Sequence, residues 1–202
     1  MLCVYTYRLA ANTREDLRES LPQILAAASL LSSNPNSMQH TAAASALLRH
    51  CILFEESLTL ETVKEVLLCL EKEEEGEGSV NLLQEVEAVK EWMTKDFSDA
   101  VDVLGKGCSN PGSFQGALLA MLTSSSYPDV VRKIIRSGGC NCSKNNFAGA
   151  CFGALYGLGG EKGIPTEWIE KTEGIEEIMT LALERVACEE TAGHHEGDSS
   201  EL

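Results

Sequence analysis

The chain has 202 residues with 31 acidic against 16 basic side chains, a formal net charge of −15, and only 5% aromatic residues. That charge repels phosphate backbones, and the one basic cluster (Arg132, Lys133, Arg136) sits where it complements a helix end, so no nucleic-acid partner is expected. No apolar run reaches the roughly 20 residues needed to span a bilayer, and the first eight residues lack the pattern of a secretory leader, so no membrane association and a cytoplasmic location are expected.

Residues 1–12 show no clear element. Thr13-Arg14-Glu15-Asp16 reads as a capping-box start for a helix carrying Leu17, Leu21, Ile24, Leu25 and Ala28, with Pro22 as a kink or a break. Ser32-Ser33-Asn34-Pro35-Asn36 reads as a loop. An Ala-rich helix is predicted over about 39–54 and another over 59–70, with Leu60, Val63, Leu67 and Leu70 inward. The charge run 71–78 reads as a solvated helix end and linker. A helix over 80–94 turns Leu83, Val86 and Val89 to the core. Cys108-Ser109-Asn110-Pro111-Gly112 reads as a turn, with Ser113 capping a helix that bears Phe114, Ala117, Leu118, Met121 and Leu122.

Pro128 and Asp129 open a helix with Val130, Val131, Ile134 and Ile135 on one face; its last turn is basic and a glycine pair stops it. Ser143 is placed as the N-cap of the next helix, which carries Phe147, Ala150, Cys151, Ala154, Leu155 and Leu158. Gly149, Gly153 and Gly157 recur every four residues there. Each interior glycine costs about 1 kcal/mol relative to alanine, which predicts a neighbour pressed close against that face. Pro165 begins a short helix containing Trp168, and a last helix carries Ile175, Ile178, Met179, Ala182, Leu183 and Val186. The acidic segment 189–202, with His194 and His195, lacks periodicity and reads as a disordered tail. No strand or repeat is evident: the predicted fold is all-α, one domain over 1–188.

Between those two patterned helices lies Ser137-Gly138-Gly139-Cys140-Asn141-Cys142-Ser143, where a glycine hinge meets the positive end of a new helix and presents two thiols. Eight scattered cysteines suggest a reduced compartment rather than a disulfide framework. Cys51, Cys69 and Cys188 read as small core residues. Trp92 and Trp168 read as packing anchors, and Ser113, Ser124 and Ser125 as cap and turn residues.

The run from Cys108 to Leu118, the glycine–cysteine loop 138–143, the Gly149-Ala150-Cys151-Phe152-Gly153-Ala154 stretch and the segment 164–171 together resemble the C-terminal part of the ADP-ribosylglycohydrolase superfamily. Within it the likeness is to the J-type crystallin and selenoprotein J branch. It is specific over about 108–172, weaker over 37–104, and makes the chain read as a form short at its N-terminus. The resemblance implies an orthogonal helical bundle. In active members it also implies a binuclear magnesium site that binds ADP-ribose and promotes cleavage of its bond to a modified group. Part of that metal shell is a Gly-Gly-Asp-x-Asp-Ser/Thr loop, whose ligand positions the resemblance places at Cys140, Cys142 and Ser143. Thiols stand in for both aspartates, and the family's N-terminal acidic motif has no counterpart in these residues.

The expectation is therefore a catalytically degenerate relative with a structural, crystallin-like or binding role. It would hold no cofactor, bind neither magnesium nor ADP-ribose, and self-associate or meet a protein partner through an incomplete apolar face. Two alternatives stay open. One is a metal-dependent hydrolase of ADP-ribose linkages, holding a softer ion such as zinc on Cys140, Cys142 and Ser143, with Cys108, Cys151, His40 or His50 as further ligands. The other is a thiol redox protein using Cys140 and Cys142. Against both stands the plain reading of these thiols as partly buried, inert packing.

Overall fold

A computed structural model describes the backbone of residues 14–54, 57–71 and 81–193. Among these residues there are ten helices and no named strand, only an isolated bridge between Leu158 and Ile164. The all-α expectation holds. The Thr13 cap, the linker after Glu71, the residues 194–202 with His194 and His195, and the segment 1–12 lie outside the described residues. By its internal contacts the chain divides into two compact units, Met1–Ile164 and Pro165–Leu202.

The first unit contains α1 (Arg14–Ser29), α2 (Pro35–Leu53), α3 (Leu60–Glu71), α4 (Leu82–Lys90), α5 (Phe97–Leu104), α6 (Gly112–Leu122), α7 (Tyr127–Ser137) and α8 (Asn141–Tyr156); the second contains α9 (Thr166–Glu170) and α10 (Ile175–Gly193). Pro22 lies inside α1 without dividing it. Helix α2 starts four residues before its predicted start: Asn34 is its N-cap, accepting from the Asn36 N–H at 2.9 Å, and Pro35 fills the first helical position, where its missing N–H is no loss. Of the predicted loop residues, Ser32, Ser33 and Asn34 lie before the helix and Pro35 and Asn36 form its start. Helix α5 had no counterpart in the sequence reading. Asp96 caps it by accepting from the Ser98 and Asp99 amides, and Gly105 ends it.

Helix α6 is largely apolar and is buried from Gly112 to Met121, with Ser113 and Gln115 as its polar side chains, so it lies in the interior. It packs against α4, α5, α7 and α8, while α8 packs against α2, α6 and α7. Leu47, Val63, Leu67, Val86, Val89, Leu118, Ile134 and Phe152 join into one core. On α7, Val130 and Ile134 turn inward, whereas Ile135, predicted on the same face, is half exposed. His40 on α2 is buried; its Nε2 is 2.9 Å from a Glu85 carboxylate oxygen on α4, and its ring meets Phe114 edge-on at 5.3 Å. This supports the packed-histidine reading over a ligand role.

The glycine stripe of α8 does not mark a close helix approach. A Cβ at Gly149 would lie 3.5 Å from the Tyr127 hydroxyl, and one at Gly153 would lie 3.7 Å from Ile164 Cδ1, both ordinary contacts. Gly157 serves instead as the left-handed residue that ends α8, at φ 65°. Gly139 is different: at φ 72° its Cβ would run into the Lys106 carbonyl oxygen. Gly153→Ala should therefore stabilise the protein by about 0.5–1 kcal/mol, and Gly139→Ala should destabilise it by about 2–4 kcal/mol. Chemical denaturation of the two variants checks this; a loss of stability in Gly153→Ala would restore the close-approach explanation.

Candidate functional site

The site is built where two loops meet. Helix α7 ends at Ser137, Gly138 and Gly139 take left-handed conformations, and Cys140 becomes the N-cap of α8. Ser143 is thus in the first turn of α8 rather than its cap. The Cys140 N–H donates to the Lys106 carbonyl at 2.7 Å, tying the loop before α8 to the loop between α5 and α6. The Asn141 side chain, with its amide turned as its neighbours require, donates to the Ile134 and Gly138 carbonyls at 3.0 and 3.2 Å. Those bonds fix the corner between α7 and α8.

Cys108 lies on the loop so captured. Its thiol donates to Cys140 Sγ at 2.8 Å, and the Ser143 hydroxyl lies 3.2 Å from the same sulfur. Cys108 and Cys142 are exposed and Cys140 is partly covered. The structure thus joins Cys140 to Cys108, 32 residues away, and to Ser143, while Cys142 makes no hydrogen bond to either thiol.

The electrostatics follow from this geometry. The Cys108 hydrogen bond, then the Ser143 hydroxyl and amide, hold the Cys140 thiol down at about 7; partial burial opposes this and the Lys144 charge assists. Cys108 moves up in consequence, because its proton is shared toward Cys140 and because Cys140 and Cys142 place negative charge beside it. One thiolate forms, on Cys140, and the second proton stays on Cys108.

Lys144 is the residue the sequence reading missed. Its side chain is completely buried, lies across Gly116 of α6, and leaves Nζ without a hydrogen-bond partner. A Cβ at position 116 would sit 3.0 Å from Lys144 Cε, so Gly116 makes the room. Burial lowers the Lys144 pKa, negative charge on Cys140 and Cys108 raises it, and Lys106 adds to the lowering. The signal was present in the sequence: residues 144, 148 and 151 fall on one helical face, and Ala148 and Cys151 are core residues.

The other weighed ligands lie elsewhere. Cys51 and Cys151 are in the core, and His50 stacks on Phe54 at 4.7 Å. The Cys69 thiol donates to the Glu65 carbonyl, and Trp92 carries Lys95 over its ring. Among the described residues, no cluster of three or more His, Cys, Asp or Glu side chains is spaced to hold a metal ion. A cavity of about 260 Å³ lies beside Ser143, lined by His40, Ser113, Phe114, Asn146 and Phe147 among others. Its wall includes the stacked pair Phe114–Phe147, and the Ser113 hydroxyl donates to the Asn110 side chain at 2.8 Å.

The profile of the ADP-ribosylglycohydrolase family matches residues 6–195. The chain belongs to that family. Two crystallins of Tripedalia cystophora are similar to it: Crystallin J1A is 42% identical over 95 residues, covering 46% of this chain and 29% of that protein. Crystallin J1B is 39% identical over 84 residues, covering 42% of this chain and 25% of its own length. The matched stretch thus spans less than a third of either crystallin. No solved structure matches the chain.

Magnesium, the metal that the family resemblance implies for active members, is a poor fit to these residues. It demands hard oxygen donors in octahedral array, whereas this loop offers soft sulfur and one hydroxyl, with a lysine charge acting on the sulfur.

Two predictions follow from the geometry. Because the Cys108 hydrogen bond is the largest influence on Cys140, Cys108→Ala should return Cys140 toward the ordinary thiol value near 8.5 and slow its alkylation at pH 7 about tenfold. Peptide-resolved iodoacetamide labelling across pH reads this, and an unshifted profile would refute it. Lys144→Met removes a buried charge and should raise stability by about 1–4 kcal/mol at neutral pH. The folded-state pKa of Lys144 lies below the unfolded 10.5. Between those two values the unfolded chain binds the extra proton, so native stability rises with pH through that window, and the gain from Lys144→Met shrinks there.

Proposed function

We propose that this chain is a noncatalytic member of the ADP-ribosylglycohydrolase family with a structural, crystallin-like role. The observation that carries the reading is the loop at 138–143, where Cys140 and Cys142 occupy the positions at which the family resemblance calls for metal-binding aspartates. A thiolate already satisfied by Cys108, Ser143 and the Lys144 charge has little to offer a hard dication. Without two magnesium ions, which would hold the ribose oxygens in place and lower the pKa of an attacking water, the family's hydrolysis would lose its orienting and activating centre.

Further support comes from the relatives named crystallins and from the surface. A net charge of −15 on 202 residues keeps molecules apart in concentrated solution, a property suited to a protein that acts by its bulk presence.

Calorimetric titration of ADP-ribose in the presence of magnesium should give only heats of dilution, and incubation with an ADP-ribosylated protein should release no ADP-ribose. Magnesium-dependent binding or release would overturn the noncatalytic reading.

A further inference from the structure

Two thiols from separate loops, one on the first turn of a helix and one donating a hydrogen bond to it, have the arrangement of a nucleophile and its resolving partner. We propose that Cys140 and Cys108 form a thiol–disulfide exchange site that takes small-molecule disulfides, with Cys140 as the attacking sulfur and Cys108 as the resolving one. This goes beyond the structural role and is independent of whether the chain hydrolyses anything.

The assignment of roles rests on position. Cys140 sits at the N-cap of the 16-residue α8, where the helix field favours negative charge, and it accepts hydrogen bonds from Cys108 and Ser143. The second, independent observation is Lys144, completely buried with Nζ unpartnered, whose charge acts on both sulfurs. A lone buried ammonium is costly; one held beside a thiolate is partly compensated. Cys108, exposed on the α5–α6 loop, keeps its proton and is reachable from solvent. With the sulfurs 2.8 Å apart, closure to a disulfide of about 2.05 Å asks for a loop movement of less than about 1 Å. The Cys140 amide bond to Lys106 holds the two loops together throughout.

The exchange balances as follows. The Cys140 thiolate attacks one sulfur of a disulfide RSSR, forming Cys140–S–S–R and expelling RS⁻. The Cys108 thiol passes its proton to the expelled thiolate, and its sulfur attacks Cys140 in the mixed disulfide. That yields the Cys108–Cys140 disulfide and a second RS⁻, which takes a proton from water. The protein is oxidised by two electrons, and one disulfide is reduced to two thiols. Charged groups on the packed elements bear on the step unequally: Lys144 favours the Cys140 thiolate, Lys106 opposes charge on Lys144, and Cys142, when ionised, opposes charge on Cys108.

The test uses the whole chain and glutathione disulfide as the probe. Non-reducing digestion and mass spectrometry of the wild type should show the 108- and 140-containing peptides cross-linked, with two hydrogens lost and the change reversed by dithiothreitol. Cys108→Ser should instead accumulate glutathione on Cys140, because the mixed disulfide formed there has lost the sulfur that resolves it. Cys142→Ser should leave the cross-link intact. A Cys140–Cys142 disulfide, glutathione distributed over the exposed thiols without a cross-link, or trapping on Cys108 in place of Cys140 would each overturn the proposal. The wild-type map decides the pairing even if a variant folds poorly, and circular dichroism on each variant shows whether it has.

Discussion

One hydrogen bond organises the candidate site: the Cys140 amide to the Lys106 carbonyl at 2.7 Å. It can form because position 139 is glycine, since any Cβ there would overlap the very carbonyl that accepts the bond. Through it, the turn that starts α8 is fixed to the turn that precedes α6, and Cys108 is brought against Cys140. A backbone constraint thereby becomes a chemical one. The field of the helix start, the Cys108 proton and the Ser143 hydroxyl converge on a single sulfur, and a second sulfur is held ready beside it.

Behind this corner lies the charge of Lys144, and the interior explains why it is tolerated. Helix α6 is buried on every side and gives up a side chain at Gly116 to admit the lysine stem. The stem contributes apolar packing while the ammonium, lacking any hydrogen-bond acceptor, has the thiolate region as its compensation. A loop that carried two carboxylates and two magnesium ions would place strong positive charge beside this lysine. A loop that carries thiols places a single negative charge there instead. The lysine and the thiols thus belong to one electrostatic arrangement.

The sequence made the helical fold readable because most helices combine strong periodicity with punctuation: the inward stripes of α3 and α4, the glycine stop after α7, the proline near the start of α9. It misplaced the start of α2 because Asn34-Pro35 serves turns and helix starts equally, and only tertiary context chooses between them. It passed over α5 because eight residues are too few to display a period, although Asp96 and Gly105 mark both ends. At the site, the loop 138–143 could be picked out from its glycines and thiols alone. The partner of Cys140 could not, because Cys108 is adjacent only through the fold, and the neighbouring Cys142 drew the eye by proximity in sequence. The burial of Lys144 was hidden by the ordinary expectation that lysine faces solvent.

The chemistry of the site requires that the Cys140 thiol be ionised near neutrality. Ultraviolet titration of thiolate absorbance, recorded for the wild type and for Cys140→Ser and subtracted, shows the low-pH step that Cys140 contributes, with the return of Cys108 to its ordinary range appearing separately at higher pH. The account predicts a difference curve with its midpoint at about 7. A midpoint in the ordinary cysteine range would contradict it, and with it the picture of a thiolate held by Cys108, Ser143 and Lys144.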